Sequence, residues 1–119
     1  MNFHRISQDN YQFPILDMHG WLDVKSQTSI CLNLGKKEGN ISYIMGRADV
    51  HHPCDGGTKA VVHISLPARY ETLVSIPSLV ETILDPLEIR KNETVRAQIS
   101  FGGSGIAYTR EGNGLIMSS

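Results

Sequence analysis

The chain is short of most features that announce a function. Aromatic residues make up 7% of its 119 positions, with a single tryptophan, and no basic stripe interleaves with them as a nucleic-acid surface needs: Lys36-Lys37 and Arg90-Lys91 are isolated pairs in expected turns. There are two cysteines, Cys31 and Cys54, which excludes a disulfide scaffold and a cysteine-rich zinc site. Neither sign of charge prevails. Eleven Lys and Arg stand against twelve Asp and Glu, a net charge of -1, so no overall field draws the chain to DNA or anionic lipid. No run approaches the roughly 18 apolar residues of a membrane-crossing helix. Met1 to Asp9 hold no apolar stretch of signal-peptide length, and the expected location is the cytoplasm.

What is present is an ordinary globular balance, 40% hydrophobic and 19% charged, which at this length makes residues 1–119 a single domain. Period-2 alternation dominates it. Ile30, Leu32 and Leu34 point one way and Ser29, Cys31 and Asn33 the other, as on a half-buried strand. Ile41 to Met45 repeat the pattern after a polar link at 35–40, which reads as a hairpin. Ala60 to Leu66 is apolar on both faces and belongs in the middle of a sheet. Val95 to Phe101 is apolar at every odd position and polar at every even one. Glycine turns at 102–105 and 111–114 then lead into Ile106–Thr109 and Leu115–Met117, giving a three-stranded meander. Phe13 to Leu16 and Trp21 to Val24 read as further strands.

One segment departs from alternation. Leu79, Val80, Ile83 and Leu84 recur at helical spacing, with Ser75 as N-cap, Pro77 in the first turn and Asp85-Pro86 as the stop. The expected fold is therefore mainly β or α+β: an antiparallel sheet or partly closed barrel of six to eight short strands, with one short helix near 75–85. Trp21, Tyr43, Phe101 and Tyr108 are the large side chains expected to anchor the core.

The densest chemical run is His51-His52-Pro53-Cys54-Asp55. Imidazole, thiolate and carboxylate are metal ligands, but adjacent histidines on an extended chain face opposite sides, and no second ligand cluster accompanies them. His51-His52-Pro53 resembles the His-His-Pro element of pterin carbinolamine dehydratases. The resemblance stops there, because that family has an aromatic residue soon after the proline and a helix before the histidines. Here Cys54-Asp55-Gly56-Gly57 follows and a strand pattern precedes. Gly102-Gly103-Ser104-Gly105 leads into a strand rather than a helix and reads as a turn, not a phosphate loop. No catalytic group, cofactor or metal is assigned, and the protein is read as a binding module rather than an enzyme.

Tyr70 to Ile89 contains four acids, Glu71, Glu81, Asp85 and Glu88, and no Lys or Arg. An acidic face of this kind steers and registers a basic protein partner. The expected function is a small bacterial immunity or neutralising protein that blocks a toxin, such as a nuclease with a basic cleft, through those four residues. Exposed strand edges offer a second mode of contact. Neither nucleic acid nor a membrane is expected as partner. The alternative is a small ligand-binding barrel or enzyme with a pocket near Trp21, Tyr43, His63 and Tyr108.

Overall fold

The computed structural model describes residues 10–52, 59–87, 89 and 92–111. In chain order the elements are β1 (Asn10–Phe13), β2 (Met18–Val24), β3 (Ser29–Glu38), β4 (Ile41–His51), β5 (Lys59–Leu66), α1 (Ile76–Leu84), β6 (Thr94–Phe101) and β7 (Ser104–Arg110). Short 3-10 turns at Ala68–Thr72 and Asp85–Leu87 flank the helix. The seven strands form one sheet in sequence order. Every neighbouring pair is antiparallel except β5 and β6, which run parallel because α1 carries the chain from one end of β5 back to the start of β6. The sheet is open: β1 and β7 are its two edges.

Alternation decides which face is covered. Ile30, Leu32 and Leu34 of β3, Ala48 and Val50 of β4, Ala60, Val62, Ile64 and Leu66 of β5, and Val95, Ala97, Ile99 and Phe101 of β6 are all buried on one side. Against them pack Leu79, Val80, Ile83 and Leu84, the apolar stripe of α1, together with Leu87 and Ile89. The helix begins where expected, with Ser75 Oγ accepting the Ser78 N–H at 3.4 Å and Pro77 in the first turn, where its missing donor costs nothing. α1 reaches both edges of the sheet. Glu81 grips Arg110 of β7 at 3.1 Å, and Thr82, Asp85 and Pro86 border a cavity shared with Tyr11 and Phe13 of β1. Tyr70 ties the same layer to the β1–β2 turn by donating its hydroxyl to the Leu16 carbonyl at 3.2 Å.

Several expectations need correction. Phe13 to Leu16 is not a strand: β1 ends at Phe13, and two successive turns, Leu16 N–H to Phe13 O and Asp17 N–H to Pro14 O, return the chain with Asp17 at φ 53°. The 35–40 link shrinks to Gly39 and Asn40, because the β3–β4 ladder continues through Lys36↔Tyr43 to Glu38↔Ile41. Gly39 sits at φ 60°, as the first central residue of a type II′ hairpin turn requires. The glycine turn at 102–105 is likewise only Gly102 and Gly103, since β7 starts at Ser104. Leu115–Met117 lie outside the described residues. Of the expected aromatic anchors only Phe101 is fully buried. Tyr108 packs partly against the core, Trp21 lies on the other face of the sheet opposite Asn33, and Tyr43 is 49% exposed. Among the described residues the buried aromatics are Phe13, Tyr70 and Phe101.

A register shift between Leu34 and Gly35 bends the β3–β4 pair, and only glycine fits there: a Cβ on Gly35 would stand 1.7 Å from the Tyr43 carbonyl oxygen. Gly35→Ala should therefore destabilise the fold by about 2 kcal/mol or more through forced backbone movement. Gly103→Ala, with nothing within 4 Å of its Cβ, should stay within about 0.5 kcal/mol of the parent in urea unfolding.

Candidate interaction surfaces

The face of the sheet opposite α1 carries its side chains in rows set by the register. One row runs Asp23, Cys31, Asp49, His63, Gln98, Ala107 across β2 to β7. On one side of it lies Trp21, Asn33, Arg47, Ser65, Ser100, and on the other Ser29, His51, Val61, Arg96, Thr109. This is the polar face expected of an antiparallel sheet covered on one side only.

Its charges are largely paired along their own strands. Arg47 donates to both carboxylate oxygens of Asp49, at 2.9 and 2.8 Å, and this hydrogen bonding holds the Asp49 carboxyl below its ordinary value. Lys25 pairs with Asp23 at 2.8 Å. Burial, followed by the nearby Asp49 charge, pushes the Cys31 thiol up. The row therefore contains thiol, carboxylate and imidazole in an order unsuited to nucleophilic catalysis. Asp49 lies between Cys31 and His63, which stand two strand spacings apart, about 10 Å.

His51 and His52 separate as their alternation requires. His51 is exposed and its Nδ1 lies 2.9 Å from Ser29 Oγ. His52 is 3% exposed, with Nε2 2.7 Å from Glu93 Oε2 and Nδ1 enclosed without a partner among the described residues. Cys54 and Asp55 lie outside the described residues, and among the described residues no group of three His, Cys, Asp or Glu is placed to hold a metal ion. Nor is any described helix long and apolar enough to cross a membrane. From Glu93 the polar contacts run on: its carbonyl accepts from Arg110 Nη2 at 2.8 Å, and Arg110 Nη1 reaches both Glu81 oxygens at 3.1 Å. His52, Glu93, Arg110 and Glu81 together close one end of the core.

That network changes the standing of the acidic segment. Glu71 and Asp85 are exposed, but Glu81 is engaged by Arg110, whose side chain is only 11% exposed. Glu88 lies outside the described residues. The four positions of the alternative pocket do not converge. Trp21 is on β2 and Tyr43 near the tip of the β3–β4 hairpin. Only His63 and Tyr108 border a common hollow, of about 350 Å³.

The feature that sequence reasoning missed is the reach of that hairpin. β2 stays beside β3 only as far as Gly35, and β5 joins β4 only from Arg47. Lys36–Glu38 and Ile41–Ile44 form a two-stranded arm beyond both neighbours. Ile41, Tyr43 and Ile44 on it are 55%, 49% and 64% exposed. Comparison with protein-family models, curated proteins and solved structures gives no match.

Two outcomes follow from the buried groups. Glu93→Ala leaves His52 buried without its acceptor and should cost about 1–3 kcal/mol in urea unfolding, whereas Asp23→Ala, which breaks an exposed pair, should cost under about 1 kcal/mol. In a Cys54→Ser background, the raised, buried Cys31 thiol should react with a disulfide reagent at pH 8 about 100-fold slower in the native protein than in urea.

Proposed function

We propose that the protein is a protein-binding module of the neutralising kind, acting in the cytoplasm by occupying a site on a toxin. The observation that carries this reading is the arm. The two edges of the arm differ. β3 presents Lys36, Lys37 and Glu38, the charges that normally discourage strand addition. β4 presents Ile41-Ser42-Tyr43-Ile44-Met45-Gly46 without one charge. An uncharged, β-branched and aromatic edge with no neighbouring strand among the described residues is a template for an extended segment of a partner. Tyrosine and methionine are also enriched at the centres of protein interfaces.

Lys37 braces the base of the arm. Its ammonium lies 3.0 Å from Asn10 Oδ1 and 5.2 Å from the Trp21 ring centre. A braced arm loses less freedom on binding than a flexible loop would.

The acidic segment supports a basic partner. Glu71 and Asp85 stand exposed on the α1 side of the sheet, where no described Lys or Arg neutralises them. A nuclease cleft lined with cations is the kind of surface such acids would occupy and block.

The test is capture from lysate of the source cell, followed by calorimetry with the purified partner. Tyr43→Ser combined with Ile44→Lys should weaken binding about 100-fold or more, as loss of a buried anchor does. Glu71→Ala with Asp85→Ala should weaken it about tenfold and flatten its salt dependence. Unchanged affinity in the arm variant would sink the docking mode, and failure to recover any toxin-like target would sink the neutralising role.

A further inference from the structure

The polar face holds a hollow that neither the arm nor the acids explain. It crosses β5, β6 and β7, has a volume of about 350 Å³, and is bordered by Val61, His63, Arg96, Gln98, Ala107 and Thr109. The register explains its shape. Arg96 lies between Val61 and Thr109, and Gln98 between His63 and Ala107. Short Ala107 and Val61 leave an apolar floor, and the longer Arg96, His63 and Gln98 rise around it.

The charge there is unbalanced. Among the described cations, Lys25, Lys36, Arg47 and Arg110 each have a carboxylate, while Lys37 and Arg69 lie over aromatic rings. Arg96 and Lys59 are left without a partner among the described residues. Two acids stand beside the hollow: Asp49, opposite His63, is held by Arg47 through two hydrogen bonds, and exposed Glu111, two residues past Thr109, makes no ion pair with Arg96. A guanidinium fork without a partner among the described residues, an imidazole, an amide and a hydroxyl therefore surround an apolar floor large enough for a small ligand.

We propose that this hollow binds a small organic anion. Arg96 takes the carboxylate or phosphate group bidentately, His63, Gln98 and Thr109 supply further hydrogen bonds, and the carbon skeleton lies on Val61 and Ala107. The site is shallow, and for a ligand of about ten heavy atoms the affinity falls near the millimolar range. It is separate from the protein-binding reading, and loss of one would leave the other standing.

The experiment is amide NMR titration of the full chain with phenyl phosphate, benzoate and inorganic phosphate at constant ionic strength. Phenyl phosphate or benzoate should shift the amides of residues 61–63, 96–98 and 107–109 along a saturable curve. The stronger of the two identifies which oxyanion the fork prefers. Inorganic phosphate, lacking a skeleton for the floor, should bind more weakly than phenyl phosphate. Arg96→Ala should raise the dissociation constant about tenfold or more, and Arg96→Lys should fall between it and the parent, because an ammonium cannot form the fork. Lys59→Ala and the Tyr43→Ser, Ile44→Lys arm variant should leave it within about twofold. An unchanged melting temperature in Arg96→Ala would show that the fold survives. Three results would overturn the proposal: no saturable shift with either organic anion, shifts spread over all exposed cations, or binding that persists in Arg96→Ala.

Discussion

A nine-residue helix has to cover the apolar side of a seven-stranded sheet. The helix is about 13 Å long, and seven strands laid flat would span about 29 Å. The helix layer spans the difference from its two sides: Glu81 of α1 meets Arg110 of β7, while Thr82, with Asp85 and Pro86 just past the helix, lines a cavity shared with Tyr11 and Phe13 of β1. Glycines at 35 and 46 mark close backbone approaches on the bent β3–β4 pair, where any side chain would obstruct the curvature. Tyr70 and Leu16 fill the remaining space between helix layer and hairpin.

Covering one face leaves the other to water, and that division organises the chemistry. Groups that alternate toward α1 are used for closure. His52, Glu93, Arg110 and Glu81 are linked by hydrogen bonds at the end of the core, and one of the acids that suggested a docking face is among them. Groups that alternate away from α1 stay available. There Arg47 holds Asp49 along a single strand and burial raises the Cys31 thiol, while the β5–β7 hollow keeps a guanidinium with no partner among the described residues. The arm lies outside both regimes, since past Gly35 and Arg47 no strand among the described residues lies beside it.

Much of this was legible in the sequence because burial and period coincide. Val95 to Phe101 alternates without a break because it is a central strand with one covered face. Ser75, Pro77 and Asp85-Pro86 bracket a helix whose stripe has no polar interruption. The failures occur where structure is held by something other than burial. Lys36, Lys37 and Glu38 look like a turn because they are polar, yet backbone pairing keeps them in a ladder. Phe13 and Leu16 are both buried, but two consecutive tight turns place them, not a strand. Trp21 suggested a core anchor by size, whereas its position opposite Asn33 puts it under Lys37 on the polar face. Glu81 could not be told from a solvated acid without knowing that Arg110, 29 residues later, folds back to it. The hollow at Arg96 was equally hidden, because it depends on three strands meeting at one register.

The parallel pairing of β5 with β6 has a consequence for how the chain assembles. From β1 to β5 each strand pairs with the one just before it, and β6 with β7 likewise, so these ladders close short loops at low entropic cost. Only the β5–β6 seam joins segments distant along the chain, and it cannot form until the crossover between Leu66 and Thr94 has wound back over the sheet. The molecule is thus two locally ordered pieces, a five-strand meander and a terminal hairpin, with α1 as the clasp. Contact-order arguments make the closing of that seam the slow event in folding.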